Sequence, residues 1–326
     1  MRAFHIGSSV LALAGLLVAM PFEAGAKSTL RIGTVLAAGD PLMVAAQQMK
    51  KDIEAATKGE VEVQVFPSSQ LGDTQAMMDQ AQAGANVGTF VEGSRLAPHV
   101  PEFNVLVAPY AFNTVDDLAR FVETPTFQQW NDKLKAKTGL TLLSFNWYQG
   151  ARHMLTKKAV ATPADLKGVR VRTIGEPLWI KTIGAMGAVP TPMAWAEVYP
   201  ALQTGVIDGA EAQPSAIRGA KLFEVVSHIT LTEHIFLMSG LVVSDKWLQS
   251  LPEAHRKVVV AEAKKSGAAA LKANVEQADQ IFTEIKAKGV KVTAVDKTPF
   301  RTAVQPVYGE LGLTDLVAQA RKAIGN

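Results

Sequence analysis

The run GVRVRTIGEPLWIKTIGAMGAVPTPMAWAEVYPALQTGVIDGAEAQP, residues 168–214, decides how this chain folds. Its first segment, Val169-Arg170-Val171-Arg172-Thr173, alternates apolar and cationic side chains with period two, as a half-buried strand does. Residues 176–187 then space Leu178, Ile180, Ile183 and Met186 along one helical face and stop at a glycine. Val189-Pro190-Thr191-Pro192 is held extended, because each proline fixes its own φ and pushes its predecessor out of the helical region. A second amphipathic helix is predicted over 194–205, and Val206-Ile207-Asp208-Gly209 reads as a strand that closes in a turn. Strand, helix, strand, helix, strand is the order of a parallel α/β sheet, whose ligand crevices lie at strand ends.

The two arginines of the first segment are not equivalent. Period two puts both on one face, but Arg172 lies nearer the C-terminal end, where open sheets bind their ligands. A guanidinium presents a planar fork of donors that matches both oxygens of a carboxylate, which lysine does not. Arg172 is therefore the candidate contact for an acidic ligand, with Arg170 as its solvent-facing neighbour.

Composition narrows the alternatives. The 326 residues suffice for two domains, and 48% hydrophobic with 19% charged residues fits neither a disordered chain nor a multi-pass membrane protein. A net charge of +3 without a long basic run gives no support to nucleic-acid binding. The absence of cysteine excludes disulfides, thiolate metal sites and cysteine nucleophiles, and suits an oxidising compartment. Residues 1–26 read as a signal peptide: Arg2 makes a basic start, 6–20 are apolar, and Ala24-Gly25-Ala26 fits cleavage before Lys27. The remainder is expected to be exported and soluble.

Outward from the opening run, strands are predicted over 29–35, 61–66 and 87–92, with helices over 41–57 and 74–83 between them. Asp40-Pro41 is placed to begin the first helix as cap and first-turn residue. The third strand ends on Glu92, a carboxylate at the end of an apolar segment. Helices follow over 115–122 and 127–137, then a strand over 140–147 that runs into the polar and aromatic cluster Tyr148-Gln149-Gly150-Ala151-Arg152-His153. A crossing between domains is expected at 147–150 and a return through the apolar strand 234–244. Residues 252–288 form one long helix with an expected kink at Gly267, followed by a strand over 289–295 and closing helices over 299–324. The first domain is then 27–149 with about 238–275, the second 150–237 with about 276–326, and the ligand cleft lies between them. His153 reads as a packing residue, and Asp208 and Glu211 as caps. No glycine-rich phosphate cradle, G-x-S-x-G elbow or H-E-x-x-H spacing is present, so neither a catalytic residue nor a metal or cofactor is expected.

The segments LKGVRVRT (166–173), GAVPTPMAWAEVYPALQTGVIDGAE (187–211) and FPSSQLGDTQAMMDQAQAG (66–84) resemble the extracytoplasmic solute-binding proteins of TRAP transporters, the dicarboxylate-type family. The resemblance covers essentially the whole chain after residue 26. It implies a two-domain periplasmic binding protein fold of α/β class, with central sheets flanked by helices, hinge strands and a long connecting helix across both domains. It also implies that Arg172 is the principal carboxylate contact, assisted by Arg152, with Glu92, Gln70 and Gln213 near ligand hydroxyls or carbonyls and Trp195 as an apolar wall. The partners implied are a small organic acid and TRAP membrane permease subunits, for a protein that acts as a monomer. Two departures bear on the ligand: Trp195 stands where the family usually has phenylalanine, and Ala212 where relatives often have the asparagine of DGQEN. Ala212 and Thr74 both speak against sialic acid, although SSQLGD and the segment around Glu92 stay close to that subgroup. A sugar-acid-specific member, a binding protein serving a sensor, and a secreted enzyme acting on a carboxylate are the alternatives.

Overall fold

The elements assemble into two mixed sheets in a computed structural model that describes residues 27–325; the expected signal peptide lies outside the described residues. In the first sheet β1 (Ser28–Gly33) pairs in parallel with β2 (Val61–Phe66) and β3 (Val87–Glu92). Two helices connect them, α1 (Pro41–Ala56) and α2 (Thr74–Gln82). Aspartates start both: Asp40 accepts from the Leu42 N–H at 2.9 Å and Asp73 from the Ala76 N–H at 2.8 Å, satisfying donors that lack a partner in the first turn. A single turn, α3 (Gly93–Leu96), follows β3, and after a 3-10 turn over Pro101–Val107 come α4 (Val115–Phe121) and α5 (Pro125–Thr138).

The chain then enters β4 (Leu140–Ala151), longer than the expected 140–147, and β5 (His153–Thr156) begins two residues later in the other sheet. The opening run supplies β6 (Arg170–Thr173), α6 (Pro177–Ala185), β7 (Val189–Pro192), a 3-10 turn over Trp195–Glu197, α7 (Val198–Thr204), β8 (Gly209–Ala212) and α8 (Pro214–Gly219). β7 tolerates two prolines because it is the edge strand and pairs only with β6. The strand expected over 206–209 lies instead at Gly209–Ala212. Gly205 ends α7 in the left-handed conformation, so 206–208 are consumed as connection, and Gly209 packs where a Cβ would sit 2.5 Å from the Leu155 carbonyl oxygen of β5.

From β9 (His228–Leu231) the chain returns to the first sheet as β10 (Phe236–Ser244), antiparallel between β3 and β4. After α9 (Asp245–Ser250) comes α10 (Glu253–Ala287), 35 residues and about 50 Å long. Its N-terminal half contributes Val259, Ala263 and Ala270 to the core of the first sheet, and its C-terminal half Ile281, Phe282 and Ile285 to that of the second. Gly267 is not a kink: α10 is continuous there, and a Cβ on Gly267 would lie 2.0 Å from Asn146 Oδ1 of β4. The glycine serves close approach of helix to hinge strand. β11 (Lys291–Ala294) completes the second sheet, whose order is β11-β9-β5-β8-β6-β7, and α11 (Thr298–Glu310) packs on α6, whereas α12 (Thr314–Ala323) packs on α4 beside the first sheet. The stretch 276–326 is thus divided between the two bodies.

Candidate functional site

Both sheets offer strand ends to a cleft of about 750 Å³, counting the part open to solvent. One side carries Thr34 to Leu36 beyond β1, Asp73 and Thr74 at the start of α2, Glu92 at the end of β3 and Arg95 just after it; the other carries Arg172, Met193 to Trp195, Gln213 and Ala216. Gln149 and Arg152 line it from the hinge. Of the residues predicted from sequence, Arg172, Arg152, Trp195, Glu92 and Gln213 come together here. Gln70 does not. It is exposed on the loop after β2, and the same loop instead brings Asp73 and Thr74 to the cleft.

Arg170 and Arg172 share a strand and differ in every other respect. Arg170 is exposed and forms a two-pronged pair with Asp208, Nε to Oδ2 at 2.8 Å and Nη2 to Oδ1 at 2.9 Å. Arg172 is 4% exposed, and its Nε and Nη2 donate to the Met193 carbonyl at 3.1 and 3.0 Å. Its guanidinium carbon lies 5.3 Å from the Trp195 ring centre, a cation–π contact. Burial pulls the guanidinium down to about 10, so it is still cationic at neutral pH. Among the described residues no carboxylate forms an ion pair with it.

Arg152, equally buried, is already neutralised. Its Nε pairs with Glu211 Oε2, its Nη2 donates to the Glu211 carbonyl at 2.5 Å and its Nη1 to Gln213 Oε1 at 2.8 Å. Glu211 is therefore the counter-ion of a buried arginine, not the cap expected. Burial works against its charge, but Arg152 beside it holds the carboxyl at about 2. The network continues across the hinge: Gln213 Nε2 donates to Gln149 Oε1 at 3.0 Å, and Gln149 Nε2 to Ser239 Oγ at 2.6 Å on β10. Gly150, at φ +128°, permits this approach, since a Cβ there would meet Gln213 Cβ at 3.0 Å.

On the opposite wall Glu92 Oε1 lies 2.8 Å from Arg95 Nε, and Arg95 Nη1 is 3.6 Å from Glu176. Sequence reading missed Arg95, Gln149 and Asp73. Arg95 had a signal, since it stands three residues after Glu92, the spacing at which side chains meet on a helical turn. His153 is buried against Phe282 with ring centres 5.3 Å apart, and burial depresses it to about 3, so it is a neutral packing residue.

The described geometry has close counterparts. Residues 32–314 match the bacterial extracellular solute-binding proteins, family 7. The sialic acid-binding periplasmic protein of Vibrio cholerae is 30% identical over 285 residues, 87% of this chain and 88% of that protein. A TRAP periplasmic solute-binding protein from Escherichia fergusonii, solved in an apo open form, is 44% identical with a TM-score of 0.81 over 90% of this chain and 99% of its own. One from Actinobacillus succinogenes with bound L-galactonate is 29% identical with a TM-score of 0.88 over 91% and 99%. The chain belongs to the bacterial extracellular solute-binding proteins of family 7, the periplasmic binding components of TRAP transporters.

Proposed function

We propose that this protein captures a sugar acid in the periplasm by its single carboxylate and delivers it, as a monomer, to a TRAP membrane permease. One observation carries the reading: of three arginines in the cleft, Arg95 and Arg152 stand against carboxylates and Arg172 does not. A buried cation without a counter-ion is costly, and a ligand carboxylate supplies the missing charge. Arg172 then takes the carboxylate, with Arg152 holding the geometry of that end. Glu92, Arg95 and Gln213 provide acceptors and donors for hydroxyl groups, and Trp195 forms the apolar wall. The ligands bound by relatives, L-galactonate and sialic acid, are acids of this kind. The reading includes export with removal of residues 1–26.

Isothermal calorimetry with L-galactonate tests it. Arg172→Ala should weaken binding at least tenfold, because a charge-assisted contact worth about 1.5–3 kcal/mol is lost. Arg170→Ala, whose guanidinium faces solvent and Asp208, should change it less than threefold. Ligand-free Arg172→Ala should melt no lower than wild type, since it removes an unpaired buried charge. Binding of no sugar acid by wild type, or the reverse ranking of the two variants, would sink the proposal.

A further inference from the structure

A second cavity, about 480 Å³ counting its open part, shares Trp195 with the ligand cleft. Ser68 and Ser69 line one side of it and Ala196 and Ala220 the other. Four residues, Val35, Leu36, Trp195 and Ala216, line both cavities, and of these only Trp195 is a large ring that is not fully buried. The groove has defined walls. Ser68 and Ser69 hold left-handed backbone at φ 52° and 60°, pinned to the end of β1 by N–H bonds to the Leu36 and Thr34 carbonyls at 2.8 and 2.9 Å. Opposite them the chain presents small side chains, and the two bodies come so near that a Cβ on Gly219 would meet Ala37 Cβ at 3.1 Å. The ring itself is held from two directions: it lies over the Arg172 guanidinium, and it packs against the hydrophobic cores of both sheets.

Resting on the sugar-acid reading above, we propose that Trp195 is the specificity-determining partition of this site. The ring stands between the cleft and the second groove, beside the carboxylate end, and keeps the substituents of a bulkier acid out of that groove. Because the ring sits over Arg172, it cannot swing away without disturbing the group that holds the carboxylate. The second groove is then latent room for substituents that wild type rejects.

The test compares dissociation constants for L-galactonate, a six-carbon acid, and N-acetylneuraminate, a nine-carbon acid, by calorimetry. Wild type should prefer galactonate at least a hundredfold. Trp195→Ala should narrow that ratio at least tenfold by gaining the longer acid, and Trp195→Phe should fall between. Adding Ala220→Leu to Trp195→Ala refills the groove and should restore the preference. An unchanged ratio in Trp195→Ala, with both acids weakened alike, overturns the partition and leaves the ring as a support for Arg172. So does a wild-type protein that binds both acids equally. If Trp195→Ala does not fold, Trp195→Phe decides by the same ratio, which must narrow at least threefold. Wild type that binds neither acid removes the sugar-acid reading and this inference together, whereas galactonate binding with an unmoved ratio removes the inference alone.

Discussion

Arg152 and Arg172 divide the work of a buried positive charge between them. Arg152 is compensated inside the protein by Glu211, whereas Arg172 touches a carbonyl and an aromatic face and feels the Glu211 and Glu92 carboxylates only from beyond ion-pair distance. Breaking a buried pair by removing one partner leaves the other charge stranded at a cost of about 3–5 kcal/mol. Glu211→Gln should therefore lower the unfolding free energy by that amount in denaturant titration, whether or not ligand is present. Acid should do the same gradually. The folded carboxyl sits at about 2 against an ordinary 4.5, so its contribution is complete above pH 4.5 and is lost as pH falls towards 2. His153, at about 3 against 6.5, adds an earlier loss as pH falls below 6.5, because the unfolded state takes up a proton that the buried ring refuses. Melting temperature followed from pH 7 to 3 should decline in both windows in wild type, and Glu211→Gln should shrink the lower one, leaving the part that Asp208, held at about 2 by Arg170, contributes. An unaltered lower window would mean that Glu211 is not the group titrating there.

Among the elements, α10 and β4 carry the connection between the two bodies, and their contact depends on having no side chain at Gly267. A leucine there would have to displace Asn146, whose Nδ2 donates to the Lys264 carbonyl at 2.8 Å and fastens strand to helix. Gly267→Leu should cost about 1–3 kcal/mol through overpacking, although leucine is the better helix former. Equilibrium denaturation measures it; an equal or higher stability would show that the helix can move off the strand freely. The helix was legible in the sequence from its long apolar period, its proline start and the glycine after its end. The function of Gly267 was not, since a glycine inside a helical pattern looks the same whether it kinks the helix or admits a neighbour. β8 failed for a similar reason: Val206 and Ile207 are good strand formers, yet the left-handed end of α7 uses them as connection.

The whole molecule matches a ligand-bound relative more closely in shape than it matches an open one. Its TM-score is higher to the galactonate-bound relative than to the open apo relative, 0.88 against 0.81, although sequence identity runs the other way at 29% against 44%. Identity cannot explain that ordering, but the angle between the bodies can. Three segments permit a hinge: the β4 to β5 step, the β9 to β10 return, and α10 with one half in each core. A ligand that touches both walls favours the closed state by its differential affinity for it. Small-angle scattering should show a smaller radius of gyration with saturating L-galactonate than without it, and Arg172→Ala should abolish the difference. Identical profiles would mean that the bodies do not move.

Local order in the chain settled most elements, because period two and period 3.6 record which side of a strand or helix faces apolar surroundings. It also singled out Arg172 and Glu92, since the position of a residue at a strand end is visible in one dimension. Partners distant in sequence were not visible. Arg152 and Glu211 are 59 residues apart, and they meet because β5 and β8 pair antiparallel and place His153 opposite Ala212. Gln149, Gln213 and Ser239 join in one chain of hydrogen bonds only where the two sheets meet at the hinge. Whether a buried charge is compensated is a property of distance in space, and it was the packing of two sheets that left Arg172, of the three cleft arginines, without a counter-ion.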